Sequence, residues 1–345
     1  MIMSGRMDEI KRKNTGFLHK VDMMRECLEE VDREYEEKVN RIKSSFKELQ
    51  KRLDFSESFS EDRLIDELVS FLQKEEYGLE VLLALSGLSR ERLFRIISMI
   101  RIAFKSGLYP YEEEWLKKDQ WRKKNGKEVF SEWKEDTIKK KIKDDYSFAR
   151  SIVLILLGKN EFVNEALGEF EKPFKLTLSK LKIRDEDILD TLIRSSLYGS
   201  YSAKKGGCPE KLIGKIIDSF GLGYGSGKVR HIDRKIDLVI PSVDDPKIFI
   251  EIAYVETTSS GMGDKAKTEK DTVREAIKRH YKDATFIVFV DGLGWLSREE
   301  ALRMMCEAGD YVFTFHPEHI EKFIELLSEL KRKYNLQSQS SLTEY

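Results

Sequence analysis

Apolar residues recur at steps of three and four through residues 17–53, at Val21, Met24, Leu28, Val31, Tyr35, Val39, Ile42, Phe46, Leu49 and Leu53, with charges on the remaining face. That spacing predicts one long amphipathic helix with a heptad-like seam. The seam suits either one arm of a hairpin packed in cis or a coil that pairs with a second copy. The DFSESFSED segment (54–62) ends the helix, and Ser58 or Ser60 is placed to cap the next one. From Glu61 to Phe104 the pattern stays helical. Within it, LEVLLALSGLSRERLFRIISMIR (79–101) sets an apolar helix, a turn containing Gly87 and a second amphipathic helix opened by Ser89. This is the sequence form of a helix-turn-helix. Arg90, Arg92 and Arg95 fall early on the second helix, where a recognition helix meets bases or phosphates. The plain alternative is a helical hairpin with an arginine-rich solvated face.

Residues 109–147 interleave Lys117, Lys118, Arg122, Lys123, Lys124 and Lys127 with Trp115, Trp121 and Trp133. A basic, tryptophan-bearing surface suits nucleic-acid backbone contact, and a solvated helical face is the competing reading. A buried helix is expected over 148–158 and further helix to Tyr198, followed by the Gly/Lys-rich loop GSYSAKKGGCPEK. From Pro209 the pattern alternates between helix and strand. Strands are predicted at Ile236–Pro241, Lys247–Val255, 284–292 and 311–316, with helices at CPEKLIGKIIDSFGL (208–222), Ala266–His280, Ser297–Ala308 and Glu318–Tyr334. GYGSGKVRHI suggests an extra early strand. The expected fold is an α/β C-terminal domain with a mixed central sheet flanked by helices, plus a mainly α-helical N-terminal region. The implied division is 1–60, 61–193, 194–335 and a polar tail, 336–345.

Composition narrows the function classes. Of the 345 residues, 36% are charged, yet the formal net charge is −1, which argues against a histone-like polyanion binder while leaving local basic clusters open. No apolar run reaches transmembrane length and the N-terminus lacks a signal-peptide core, so a cytoplasmic protein without membrane association is expected. Cys27, Cys208 and Cys306 are widely spaced and suggest neither a disulfide framework nor a zinc site. His316 and His319, the only close histidine pair, read as structural.

The sharpest chemical signal lies in KIDLVIPSVDDPKIFIEIAYVETTSSGMGDKAKTEK (235–270). Asp237 and Glu251 each interrupt an apolar strand, and a carboxylate there is costly unless paired or bound to a metal. Lysines follow closely. Phosphodiester hydrolysis requires these residue types: acids to hold a hard cation, and an ammonium to stabilise charge or orient water.

The strand order and the two acids resemble the PD-(D/E)XK nuclease superfamily, and within it the type II restriction endonucleases. The resemblance spans about residues 194–316. It implies that Asp237 and Glu251 bind Mg²⁺. The motif lysine would stand at position 253, which is Ala253. Lys265 on the next helix is the first substitute and Lys267 the second. Glu210 matches an accessory acid near the metal, or else interacts with its helix dipole. Lys204 and Lys205 are placed to touch phosphates. Asp291, in VDGLGW, reads as a structural turn cap. The implied function is Mg²⁺-dependent, site-specific cleavage of double-stranded DNA by a homodimer matched to a palindrome. The alternatives are a repair or junction nuclease of the same fold, and a helix-turn-helix DNA-binding protein whose nuclease-like domain is inactive.

Overall fold

The computed structural model describes residues 2–53, 60–168, 172–173, 175–257 and 261–337. Ser58, most of the polar tail and part of the loop after the second acid-bearing strand lie outside them. The chain divides into two compact units, residues 33–202 and residues 1–32 with 203–345.

Helix α1 (Ile2–Arg12) is followed by two 3-10 turns, Leu18–Lys20 and Asp22–Met24, and by the long α2 (Arg25–Arg52). The expected seam is buried at every apolar position except the half-buried Tyr35. The helix itself starts later than its periodicity predicts. Val21 is extended between the two turns, and both it and Leu18 are buried. From Val39 to Leu53 the seam joins the core of residues 33–202, so it packs in cis.

That core is completed by α3 (Glu61–Lys74), α4 (Gly78–Ser86), α5 (Arg90–Lys105) and α6 (Glu114–Lys117), then by α7 (Glu135–Asp144), α8 (Tyr146–Leu156), α9 (Glu161–Ala166), α10 (Leu178–Leu181) and α11 (Glu186–Lys205). Ser60 caps α3 by accepting from Arg63 N at 3.3 Å. Gly87, at φ +60°, ends α4, and Ser89 caps α5 through Arg92 N at 3.3 Å. The helix–turn–helix backbone read from 79–101 is therefore present.

The basic segment departs from the helical expectation. Arg122–Lys124 (β1) and Lys127–Val129 (β2) form an antiparallel ribbon. Its two-residue turn, Asn125-Gly126, has positive φ at both positions. Asn-Gly tolerates that geometry, which matches the twist of a hairpin. The tryptophans are largely structural as well: Trp115 is buried and meets Phe148 edge-on at 4.9 Å. Beneath the ribbon Arg101 bonds Asp119 at 2.8 Å, with side-chain exposures of 2% and 7%.

The other unit is built on a five-stranded sheet. Helix α12 (Cys208–Ser219) leads into β3 (Gly225–Lys228), β4 (Lys235–Pro241) and β5 (Pro246–Tyr254). Then come α13 (Met262–Lys267), a π-helical turn (Thr268–Val273), α14 (Arg274–His280), β6 (Thr285–Asp291), α15 (Leu293–Leu296), α16 (Glu299–Ala308), β7 (Tyr311–Phe313) and α17 (Pro317–Lys333). The sheet order follows the chain from β3 to β7; the first three strands are antiparallel and the last three parallel. The expected extra strand is β3. Phe249, Ala253, Val288 and Val290 share one core with Met262, Ala266, Ile277, Leu302 and Met305 from the crossover helices.

Helix α1, unforeseen in its polar sequence, buries Ile10 in that core. Its Arg6 donates to the carbonyls of Cys306, Gly309 and Asp310 at the end of α16. Cys27 and Cys208 form a disulfide that their wide spacing did not suggest; 181 positions separate them. Asp291 accepts from Thr15, Gly292 and Phe315, and His319 accepts from Thr314, so both act structurally. Among the described residues no helix is long and apolar enough to cross a membrane.

The Arg101–Asp119 pair makes a stability prediction. Asp119→Ala leaves a buried guanidinium without its counter-charge and should destabilise the protein by about 3–5 kcal/mol. Urea unfolding followed by tryptophan fluorescence reads this as a lower midpoint, and an unchanged midpoint would contradict it.

Candidate active site

The β4–β5 ladder pairs Leu238 with Ile250. One step further along that register sets Asp237 across from Glu251, and cross-strand neighbours share a face. The strands part there, because Ile252 N donates to the Asp237 carboxylate (Oδ2) at 2.8 Å instead of to a β4 carbonyl. Glu251 stands between Phe249 and Ala253 on the face covered by the α13–α14 crossover. Both acids therefore look toward the helix that carries the candidate lysines.

Lys265 leans back over the strand and donates from Nζ to Ile252 O at 3.1 Å, one residue beyond Glu251. Ala253, at the expected lysine position, is 1% exposed within the apolar core, which leaves no solvated path for an ammonium from the strand itself. Lys267 is exposed on α13. Glu210, in the first turn of α12, is half-buried; its carboxyl is pushed up by burial and by the nearby Asp237 charge, and pulled down by Lys235 and Lys265. Glu210, Asp237, Glu251 and Lys265 thus belong to one electrostatic neighbourhood.

Two further residues belong to it that the sequence reading missed. Glu269, on the π-helical turn, has no exposed side-chain surface, and neither has Glu251. Arg234, just before β4, donates to Glu251 Oε2 at 3.0 Å and also to Glu269 Oε1. Glu251 Oε1 and Glu269 Oε2 are buried without a hydrogen-bond partner. Burial, then the charges of Glu269 and Asp237, hold the Glu251 carboxyl well above the usual carboxylate range, while Arg234 and Lys265 oppose the shift. Glu269 is raised too, chiefly by burial. Glu269 follows Lys265 by four residues, a helical spacing that places them on one face and could have drawn attention to it.

The donor set is all carboxylate, with two unsatisfied buried oxygens, which suits a hard divalent cation such as Mg²⁺. Among the described residues, however, no three His, Cys, Asp or Glu side chains are grouped to hold a metal ion. Arg234 stands between two of the acids and would have to give way.

The DNA-contact candidates fare unevenly. Arg90 bonds Glu80 and Glu135, and Glu80 is almost fully buried, so this arginine serves the fold of residues 33–202. Arg92 is half-buried. Arg95 makes an exposed pair with Glu91 on its own helix. Lys205 is held by both oxygens of Glu256 at 3.1 Å, and Lys204 is exposed.

These features define a mixed α/β domain with a carboxylate–lysine cluster at a splayed sheet. Residues 222–331, about a third of the chain, match the family model of the BanI C-terminal domain, a restriction-enzyme domain, which supports a restriction endonuclease. The matched region holds Arg234, Asp237, Glu251, Lys265 and Glu269; Glu210 lies upstream of it. No curated protein and no solved structure matches the chain.

The raised carboxyl of Glu251 sets a pH dependence. An acid whose folded pKa lies above its unfolded value binds more protons when folded, so stability falls as pH rises between the two values. Glu251→Gln removes that decline. Above the ordinary value of 4.5, the melting temperature of the variant relative to wild type should rise with pH, whatever its offset from loss of the Arg234 pair. A difference that stays flat with pH, measured by calorimetry, would contradict the shift.

Proposed function

We propose that the chain is a Mg²⁺-dependent type II restriction endonuclease that cuts both strands of DNA at a short specific site. The observation that carries this reading is the cluster itself: Asp237 and Glu251 across one strand pair, with the Lys265 ammonium at the adjoining peptide. The match of residues 222–331 to a restriction-enzyme domain supports it independently.

Asp237 and Glu251, with Glu210 at the margin, are the residues that would hold the ion. Bound Mg²⁺ supplies charge neutralisation at the phosphate and makes attacking water more acidic. The protein's own groups do the rest. Lys265 now donates to a backbone carbonyl and can turn the same ammonium to a phosphate oxygen or to the attacking water, where charge develops. Arg234 shields the two buried acids from each other and, once displaced, adds a second cation beside an incoming phosphodiester. The exposed side chains of Lys204 and Arg95 would contact the phosphate backbone. A two-fold target would be matched by a homodimer, each copy cutting one strand.

The competing reading, DNA binding without cleavage, draws on Ala253 and on the Arg234 bridge. Plasmid cutting in Mg²⁺ separates the two. Wild type should give discrete fragments. Asp237→Asn, Glu251→Gln and Lys265→Ala should each slow cutting by at least ~10²-fold, with circular dichroism unchanged. Lys267→Ala should cut at close to the wild-type rate. Equal losses at Lys265 and Lys267 would remove the assignment of the ammonium, and a wild type that binds DNA but never cuts would leave the competing reading.

A further inference from the structure

The β1–β2 ribbon is exposed along its whole length, from Arg122 to Val129. Its register pairs Arg122 with Val129, Lys123 with Glu128 and Lys124 with Lys127. Opposed residues share a face and alternate residues share a face, so Arg122, Lys124, Lys127 and Val129 lie on one side, and Lys123 and Glu128 on the other. Glu128 bonds Lys105, at the end of α5, at 2.8 Å. The side with Lys123 and Glu128 is thereby turned toward its own helical unit. The opposite side presents three cations with no acidic partner among the described residues.

Such a ribbon should not stand by itself. Two short strands are marginal in water, and lysines directly opposed across a ladder repel each other. What holds it is the base. Trp121 and Phe130 meet edge-on at 5.1 Å where the strands begin and end. The buried Arg101 lies 5.0 Å from the Phe130 ring and 4.0 Å from the Trp133 ring, and donates to Ser131 O. The fold thus builds a firm stalk beneath a tip whose charges work against its own stability.

We infer that this ribbon is a DNA-binding arm whose Arg122, Lys124 and Lys127 face contacts the phosphates of duplex DNA. This rests on the nuclease reading and extends it to a surface of residues 33–202. The unopposed charge complements a phosphate backbone, and a two-stranded ribbon is narrow enough to follow a major groove about 12 Å wide. Contacts of this kind position the duplex and carry no base information.

The test uses the full-length protein in Ca²⁺ with a labelled mixed-sequence duplex of about 30 base pairs, followed by fluorescence anisotropy against salt. Arg122→Ala/Lys124→Ala/Lys127→Ala should weaken binding at least about tenfold and make the log–log salt slope shallower by about two to three. Lys123→Ala, on the inward face, should bind nearly as wild type. Lys124→Glu is the control for folding: it creates an attractive pair with Lys127, so the ribbon is kept while affinity falls. Wild-type affinity and slope in the triple variant would overturn the arm and leave the nuclease reading standing. Equal losses at Lys123 and in the triple variant would overturn the face assignment. A wild type with no affinity for duplex would overturn the arm and the nuclease reading together.

Discussion

Glu251 and Glu269 have no exposed surface, and they share the guanidinium of Arg234. A carboxylate taken out of water alone carries a penalty of several kcal/mol, and a second one nearby adds repulsion. One planar cation with several donors can meet both acids at once, which an ammonium does less well. Arg234 is itself 28% exposed and reaches inward from the approach to β4. The bridge satisfies one oxygen of each acid and leaves the other bare. The neighbourhood therefore holds excess negative potential that Lys265 offsets only in part. The proposed divalent cation, and the phosphate it would accompany, would offset that imbalance.

The backbone around the bridge is arranged to supply it. The Asp237 carboxylate takes the Ile252 amide, so the β4–β5 ladder opens at the two acids. The crossover helix passes over that opening and widens into a π-helical turn that carries Glu269. Such turns interrupt a regular helix and are frequent at functional sites. The parallel β5–β6–β7 half of the sheet, with its central strand β6 buried on both faces, gives the floor on which these groups are set.

Much of this was legible in the sequence because strand pattern and chemistry coincide there. An acid inside IDLVIP and another inside IFIEIAYV conflict with burial, and the conflict marks the site. Lys265 was readable from the short glycine-containing loop before it. Arg234 was not, since a basic residue ahead of a strand resembles any solvated turn, and only the fold turns it inward. Glu269 carried the i, i+4 spacing to Lys265 but looked like one more charge on a charged helix. The Asn125-Gly126 signal for a hairpin stands in the sequence among lysines that suggest a solvated helical face. Helix α1 escaped because its polar composition hides the buried anchor Ile10. The Arg90 reading met the usual limit of a helix-turn-helix pattern: the same backbone serves a plain hairpin, and Glu80 and Glu135 draw that arginine into the fold.

The most direct test of the cluster is calorimetric titration of the protein with Mn²⁺ in two buffers of different ionisation enthalpy. A cation that displaces protons from raised carboxyls gives an apparent enthalpy that depends on the buffer. The expected result is saturable binding with net proton release, abolished in Glu251→Gln and weakened in Asp237→Asn. Absence of saturable binding, or binding that both substitutions leave intact, would contradict the assignment of this cluster as the metal centre.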